Sequence, residues 1–181
     1  MADQEILAGP AETAEVNGTL GLNIYGNVGG NMQTVLSYTA TGQVPGALAW
    51  LTGNFTGTEN MGIQIAQPWD NNGTLVMIVY GIGNDGTLET VFANPDMGQG
   101  SGALAFLTGN FIGSGSTQIA QTRDNNGSLQ LLIYGDVGDG GLSTVFSNDI
   151  SQIPFALAWV TGDFSGTGNT QILQPWIRVF G

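Results

Sequence analysis

The sequence contains no cysteine, no histidine and no lysine, and its only basic side chains are Arg123 and Arg178. The first two absences remove disulfides, thiolate nucleophiles, Cys and His metal ligands and the imidazole of a catalytic triad. The absence of lysine excludes Schiff-base and P-loop chemistry. Few classes of enzyme remain possible, and they would have to rely on Asp, Glu, Ser, Thr or Tyr.

Positive charge is scarce as well, since 14 acidic residues against 2 arginines give a net charge of −12. Such a chain repels a phosphate backbone and an anionic lipid surface, so we expect no nucleic-acid partner. No apolar run reaches the ~18 residues of a spanning helix, so we expect no membrane insertion. The first residues, MADQEILAGPAETAE, have no basic residue before an apolar stretch, so no signal peptide is visible and the compartment stays open.

The most informative feature present is internal repetition. Three markers recur. The first is ALAWLTGNF at 47–55, with related segments at 103–111 and 156–164. The second is QIAQ at 64–67, with related segments at 118–121 and 171–174 and a divergent copy at 5–8. The third is a hairpin, at 17–26, 72–81 and 126–135. No linker interrupts these markers. We therefore predict one domain over 1–181 with about three and a half repeats, at roughly 5–55, 63–111, 117–164 and, in part, 170–181.

Each repeat resolves into short strands, as expected for 30 glycines and only 9% charged residues. In the second copy the strands are predicted at roughly 63–68, 74–81, 87–93 and 103–110, and Asn-Gly between strands favours type I′ turns. The hairpin strands are apolar at alternate positions, and in the middle copy they are apolar on both faces. Stacked four-stranded sheets describe an all-β propeller, with a β-sandwich or β-prism as the alternative.

The segment 161–174, TGDFSGTGNTQILQ, resembles the FG-GAP/VCBS repeat, whose loop reads roughly Gly-Asp-Phe-Asn-Gly-Asp-Gly-x-x-Asp-Ile. The resemblance recurs three times and extends over nearly the whole chain. It implies a propeller of the kind found in integrin heads, bacterial surface and secreted proteins and several lectins. It also implies an Asp/Asn loop that holds a structural Ca²⁺.

The chain departs from this family at the metal loop. Calcium prefers six to eight oxygen ligands with several carboxylates among them. Asp163 alone keeps a carboxylate at a family ligand position, although Glu59 lies within the first loop. We therefore expect loops held by hydrogen bonds, with no metal site and no cofactor.

The number of repeats predicts association. Three and a half repeats are too few to close the usual ring, and an open propeller leaves sheet faces and strand edges uncovered. We expect a homo-oligomer, with a dimer favoured, in which the C-terminal strands near 171–174 and 177–180 complete a blade with a partner.

Five residues just after the QIAQ strands are the candidate ligand-binding residues: Trp69, Asp70, Arg123, Asp124 and Trp176. A planar group beside a carboxylate suits carbohydrate, because rings stack on sugar C–H faces and carboxylates accept hydroxyl hydrogen bonds. The structural alternative is that Trp fills a groove between blades and Asp-Asn-Asn-Gly only starts the turn.

We expect a non-catalytic, lectin-like module, because Asp70 and Asp124 occupy equivalent places in different repeats rather than one asymmetric active site. The alternative function is a structural or adhesive, self-assembling module that binds protein partners and no small ligand. The family resemblance suggests a secreted or cell-surface protein.

Overall fold

The computed structural model describes residues 15–16, 19–41, 47–57, 62–83, 85–138, 141–152, 155–156 and 158–177. The chain divides into two units, Met1–Gly46 and Ala47–Gly181. All regular structure among the described residues is antiparallel β, which confirms the predicted all-β class. No helix in these ranges is long and apolar enough to cross a membrane.

The described residues of the first unit form one sheet in the order β1-β2-β3, built from β1 (Glu15–Val16), β2 (Thr19–Val28) and β3 (Asn31–Thr41). Strands β2 and β3 pair along nearly their whole length. By contrast, β1 pairs only with Thr19 and Leu20 at the start of β2.

The second unit contains two complete four-stranded sheets. The first consists of β4 (Leu51–Gly53), β5 (Gln64–Asn71), β6 (Thr74–Ile82) and β7 (Leu88–Asn94). The second consists of β8 (Ala103–Gly109), β9 (Gln118–Asn125), β10 (Ser128–Asp136) and β11 (Leu142–Gln152). In both sheets every strand pairs with the strand that follows it in sequence.

A third, shorter arrangement repeats the first half of these sheets. Strand β13 (Val160–Gly162) pairs with β14 (Gln171–Leu173), and β12 (Phe155–Ala156) pairs with β15 (Trp176–Ile177). The pairs follow the register of β8 with β9, where Gly109 lies opposite Gln118 and Ala103 opposite Arg123.

One predicted strand belongs to a different sheet from the one expected. Three strands of the second copy match β5, β6 and β7, but the strand predicted at 103–110 is β8, which pairs with β9 of the next sheet. The ALAW-type segment therefore opens a sheet rather than closing one, and sheet boundaries do not coincide with the repeat boundaries drawn from sequence.

The hairpin turns have the predicted type I′ chemistry where they are described. Asn72 and Gly73 have φ angles of 53° and 91°, and Asn126 and Gly127 have 53° and 87°. Both central residues of a type I′ turn need positive φ, which Asn and Gly tolerate best. The equivalent first turn, Asn17–Gly18, lies outside the described residues.

The core lies between the two complete sheets. Leu75, Met77 and Val79 from β6 are fully buried in one cluster with Ile119 of β9 and Tyr134 of β10. One sheet thus presents an aliphatic face to the opposite face of its neighbour. This is the two-faced apolar pattern expected of a sheet stacked between others.

Polar contacts repeat at the same point of each sheet-to-sheet junction. The amide of Asn54 donates to Thr117 Oγ1 at 3.1 Å, and the Thr117 amide donates to the Asn54 carbonyl at 2.9 Å. Asn110 and Thr170 form the same reciprocal pair at the next junction, with both distances 2.9 Å. Neighbouring sheets are therefore joined by one repeated hydrogen-bonded pair.

These observations support stacked four-stranded meanders. Neither four-stranded sheet closes on itself. The propeller remains a prediction, and so does the ring that would complete it.

The close approach at each junction gives a test. A Cβ on Gly53 would lie 2.5 Å from Thr117 Cγ2, and a Cβ on Gly109 would lie 2.5 Å from Thr170 Cγ2. Gly53→Ala and Gly109→Ala should each lower the free energy of unfolding by about 1–3 kcal/mol, because the sheets must move apart. Urea denaturation measures this loss. Thr117→Ser, which removes the nearest methyl group, should recover part of the loss in Gly53→Ala; unchanged stability in both glycine variants would contradict the close packing.

Candidate functional site

The planar groups singled out in the sequence occupy one repeated position. Trp69 lies opposite Ala47, Arg123 opposite Ala103, and Trp176 opposite Ala156. Each large residue is thus at the same register, across from alanine, on three successive sheets. Trp69 is half-buried; the side chain of Trp176 lies outside the described side chains.

Trp69 and Asp70 do not form the side-chain pair that their adjacency suggested. Both lie in β5, where consecutive side chains project to opposite faces of the sheet. Asp70 shares its face with Leu75 and Met77 of β6, which pack against the next sheet. Asp70 therefore points toward the next sheet, and the face of β9 on the other side of this junction is the one that carries Arg123.

The segment Gln99–Gly100 lies between these two side chains. Arg123 hydrogen-bonds through Nη1 to the Gln99 carbonyl at 3.5 Å and through Nη2 to Gln99 Oε1. A Cβ on Gly100 would lie 3.0 Å from Asp70 Oδ1. A carboxylate of one sheet and a planar cation of the next are thus separated by one narrow loop.

Both aspartates take part in the turns, as the structural alternative supposed. Asp70 Oδ1 accepts a hydrogen bond from the Gly73 amide at 2.6 Å, and Asp124 Oδ1 accepts one from the Gly127 amide at 2.7 Å. Such bonds from Asp to a nearby backbone amide stabilise tight turns. In the described part of the chain, Oδ2 of neither aspartate accepts a hydrogen bond, so one oxygen of each remains for another donor.

Arg123 is buried, with 7% of its surface exposed, and is less accessible than Trp69, Asp70 and Asp124. Its Nε atom is buried without a hydrogen-bond partner among the described residues. Its contacts with Gln99 tie β9 to the loop that precedes β8, so the side chain acts in positioning that loop.

The first glutamine of each of the three QIAQ segments holds the loop that resembles a calcium site. Gln64 Oε1 accepts from the amides of Phe55 and Thr56 at 2.7 and 3.0 Å. Gln118 Oε1 accepts in the same way from the amides of Phe111 and Ile112, and Gln171 Oε1 from those of Phe164 and Ser165. The amide nitrogens donate back to loop oxygens, for example Gln64 Nε2 to Thr56 Oγ1 at 2.6 Å.

These glutamines stand where the FG-GAP/VCBS loop has its last aspartate. One amide group supplies both an acceptor for two backbone N–H groups and a donor for a hydroxyl, which an ion could not do. The expected hydrogen-bonded loops are thus present. Within the described residues, no group of three acidic side chains is placed to hold a metal ion.

Asp163 is the carboxylate retained in the third loop, and it also binds backbone. Its Oδ2 accepts from the Gly168 amide at 2.8 Å and its Oδ1 from the Thr167 amide at 3.0 Å. These bonds, with that of Gly168 the largest influence, lower the pKa of the Asp163 carboxyl.

The second glutamine of two QIAQ segments, Gln67 and Gln121, binds a tyrosine of the neighbouring strand. Tyr80 Oη donates to Gln67 Oε1 at 3.2 Å and Tyr134 Oη donates to Gln121 Oε1 at 2.7 Å. Each of these two bonds joins neighbouring strands of one sheet. A register shift before Tyr25, Tyr80 and Tyr134 marks a bulge at the same place in all three hairpins.

No family model, no curated protein and no solved structure matches this chain. The likeness to FG-GAP/VCBS repeats therefore remains a resemblance in residue pattern.

The glutamine contacts predict unequal effects of the same substitution. Gln64→Leu should lower the free energy of unfolding by about 2–4 kcal/mol, since two buried amides lose their acceptor. Gln171→Leu is the matched control and should cost less, because water can reach its exposed loop. Urea denaturation compares the two variants; an equal, small loss in both would contradict the role assigned to Gln64.

Buried Tyr134 predicts a loss of stability in alkali. Burial raises its pKa from 10.0 to about 12, against the opposing charge of Arg123. The folded state holds this proton more tightly, so its contribution is complete below pH 10 and falls by about 3 kcal/mol between pH 10 and about 12. Unfolding measured across this range should show a smaller alkaline loss in Tyr134→Phe. Tyr38→Phe is the control and should keep the full loss.

Proposed function

We propose that this protein is a non-catalytic module that binds carbohydrate along the ends of its stacked sheets near the Asn-Gly turns. The observation that carries the proposal is the repeated register of Trp69, Arg123 and Trp176 on successive sheets. A planar position that recurs beside the acidic turn of the preceding sheet offers more than one weak site of the same layout, which suits multivalent sugar recognition.

Each binding unit lies between sheets rather than within one strand. Asp70 is paired with Arg123 across one junction, and Asp124 is paired with the position of Trp176 across the next. In both pairs the aspartate belongs to the preceding sheet. The free Oδ2 of the aspartate would accept a sugar hydroxyl while Oδ1 keeps the turn. Arg123 would position Gln99 in its unit, and Trp69 and Trp176 would supply stacking surfaces.

The charge of the chain narrows the ligand class. With a net charge of −12, the protein repels sulfated and sialylated glycans, so neutral or amino sugars fit best. Asp70 and Asp124 make the same turn bond, so they do not form a pair with distinct acid and base roles. Their equivalence supports a role without catalysis.

The second candidate function is a structural or adhesive module without a small ligand. This function is favoured by the turn bonds of Asp70 and Asp124 and by the burial of Arg123, because these contacts have structural roles. Both candidates predict an associated repeat protein, and a ligand screen separates them.

A glycan array tests the proposal. The wild-type protein should retain neutral or amino sugars, and Trp69→Ala and Trp176→Ala should each weaken binding about tenfold or more through the lost stacking surface. Asp70→Asn keeps an oxygen for the turn and should weaken binding without unfolding the hairpin. Trp50→Phe and Glu89→Gln, placed away from the turns, are the controls. Absence of any retained glycan at high protein concentration would refute carbohydrate binding and leave the structural module.

A further inference from the structure

The third loop, which joins β13 to β14, gathers three oxygen atoms around one nitrogen. Gln171 Nε2 donates to Ser165 Oγ at 2.7 Å. The same nitrogen donates to the Asn169 carbonyl at 3.0 Å and to Thr167 Oγ1 at 3.1 Å. A carboxamide nitrogen carries only two hydrogens, so two of these oxygens share one of them. The loop therefore brings more oxygens to this point than the amide alone requires.

The backbone path accounts for this convergence. The three oxygens belong to alternate residues, and the glycines between them, Gly166 and Gly168, have φ angles of 67° and 83°. Glycine adopts positive φ without strain, and the chain can curve so that alternate residues face one point. Asp163 holds the curve from its start, because its carboxylate accepts hydrogen bonds from the Thr167 and Gly168 amides.

The other two loops place a glutamine nitrogen in the same way. In the second loop, between β8 and β9, Gln118 Nε2 donates to Ser114 Oγ and, at 3.2 Å, to the Ser116 carbonyl. In the described part of the first loop, between β4 and β5, Gln64 Nε2 donates to Thr56 Oγ1 at 2.6 Å. A carboxamide nitrogen thus lies among loop oxygens in each repeat of this segment.

This arrangement does not fit the Ca²⁺ that the FG-GAP/VCBS resemblance implies. Calcium takes six to eight oxygen ligands at about 2.3–2.6 Å, and an N–H donor cannot be one of them. The nitrogen of Gln171 directs its hydrogens at oxygens that a cation would need. Its carboxamide oxygen is engaged as well, by the amides of Phe164 and Ser165. A cation and this side chain would therefore compete for the same oxygens.

We propose that the glutamine carboxamide takes the place of a cation in these loops, so that they keep their shape without calcium, and that Gln171 excludes a cation from the third loop. A neutral amide needs no carboxylates around it, which fits oxygens supplied by Ser, Thr and backbone carbonyls. It also adds no negative charge to a chain that already carries −12. The proposal concerns these loops and does not depend on carbohydrate binding at the Asn-Gly turns.

The third loop is where exclusion of a cation can be tested directly. It is exposed to solvent and keeps the carboxylate of Asp163 at its start. In Ser165→Asp/Gln171→Asp the N–H donor is gone, and three carboxylates stand at alternate positions together with the Thr167 hydroxyl and the Asn169 carbonyl. With water completing the shell, this oxygen set meets the demand of Ca²⁺ for about six ligands.

Thermal unfolding of the full chain tests independence from calcium. The midpoint of the wild-type protein should agree within about 1 °C between EDTA and about 5 mM CaCl₂, because no ion binds the folded state preferentially. MgCl₂ at the same concentration is the control for screening of the net charge of −12, since both salts screen equally. A midpoint raised by CaCl₂ and not by MgCl₂ would overturn the proposal.

Calorimetric titration with CaCl₂ tests exclusion by Gln171. Ser165→Asp/Gln171→Asp should bind one Ca²⁺ with a Kd of about 10⁻⁴–10⁻³ M, and its unfolding midpoint should rise in CaCl₂ relative to EDTA. Ser165→Asp alone is the matched variant, because it gains a carboxylate but keeps the amide. It should bind calcium at least about tenfold more weakly than the double variant. Equal affinity in the two variants would contradict exclusion by the amide.

A further variant separates loss of the amide contacts from gain of charge. Gln171→Asn keeps a carboxamide that is one methylene shorter, so it should lose stability relative to wild type and recover none of it in CaCl₂. If the double variant is unfolded in EDTA, added CaCl₂ should fold it, which circular dichroism measures. A double variant that binds no calcium in either state would refute the placement of the amide at the position of a cation.

Discussion

Three loops of the described chain depend on one kind of hydrogen-bonding group, the carboxamide of the glutamine that opens β5, β9 or β14. Gln64, Gln118 and Gln171 each hold the two amides at the start of the loop before them. These hydrogen bonds fix the loop on the strand. Its position in turn places Asn54 and Asn110 against the threonines of the following sheets, so one side chain controls both the loop and the stacking.

The stacking itself is limited by the size of a hydrogen atom at Gly53 and Gly109. Any larger group would meet the threonine of the neighbouring sheet, and the reciprocal Asn–Thr bonds require this approach. Ile63 occupies the position of Thr117 and Thr170 in the first complete sheet, and its side chain is 50% exposed.

Local features could be predicted from the sequence, and features set by pairing could not. The type I′ turns at Asn72 and Asn126 follow from Asn-Gly, and the apolar face of β6 follows from alternation. Membership of β8 in the next sheet could not be predicted, because it depends on which strand pairs across a loop. For the same reason, the sequence did not predict that Trp69 and Asp70, which are adjacent in the chain, lie on opposite faces of the sheet. The glutamine contacts left a signal that could have been used: a buried amide residue recurring in each apolar strand needs a partner.

The order of strand pairing determines how this chain can fold. In the two complete sheets each strand pairs with its sequence neighbour, so each of these meanders can form from contacts of short sequence separation. The bonds that join sheets connect distant residues: Asn54 and Thr117 are 63 positions apart, and Asn110 and Thr170 are 60 positions apart. Loop-closure entropy makes such distant contacts form after the local ones. The nascent chain can therefore assemble its sheets one after another, in the way of repeat proteins, and acquire the stacking contacts as each new sheet appears.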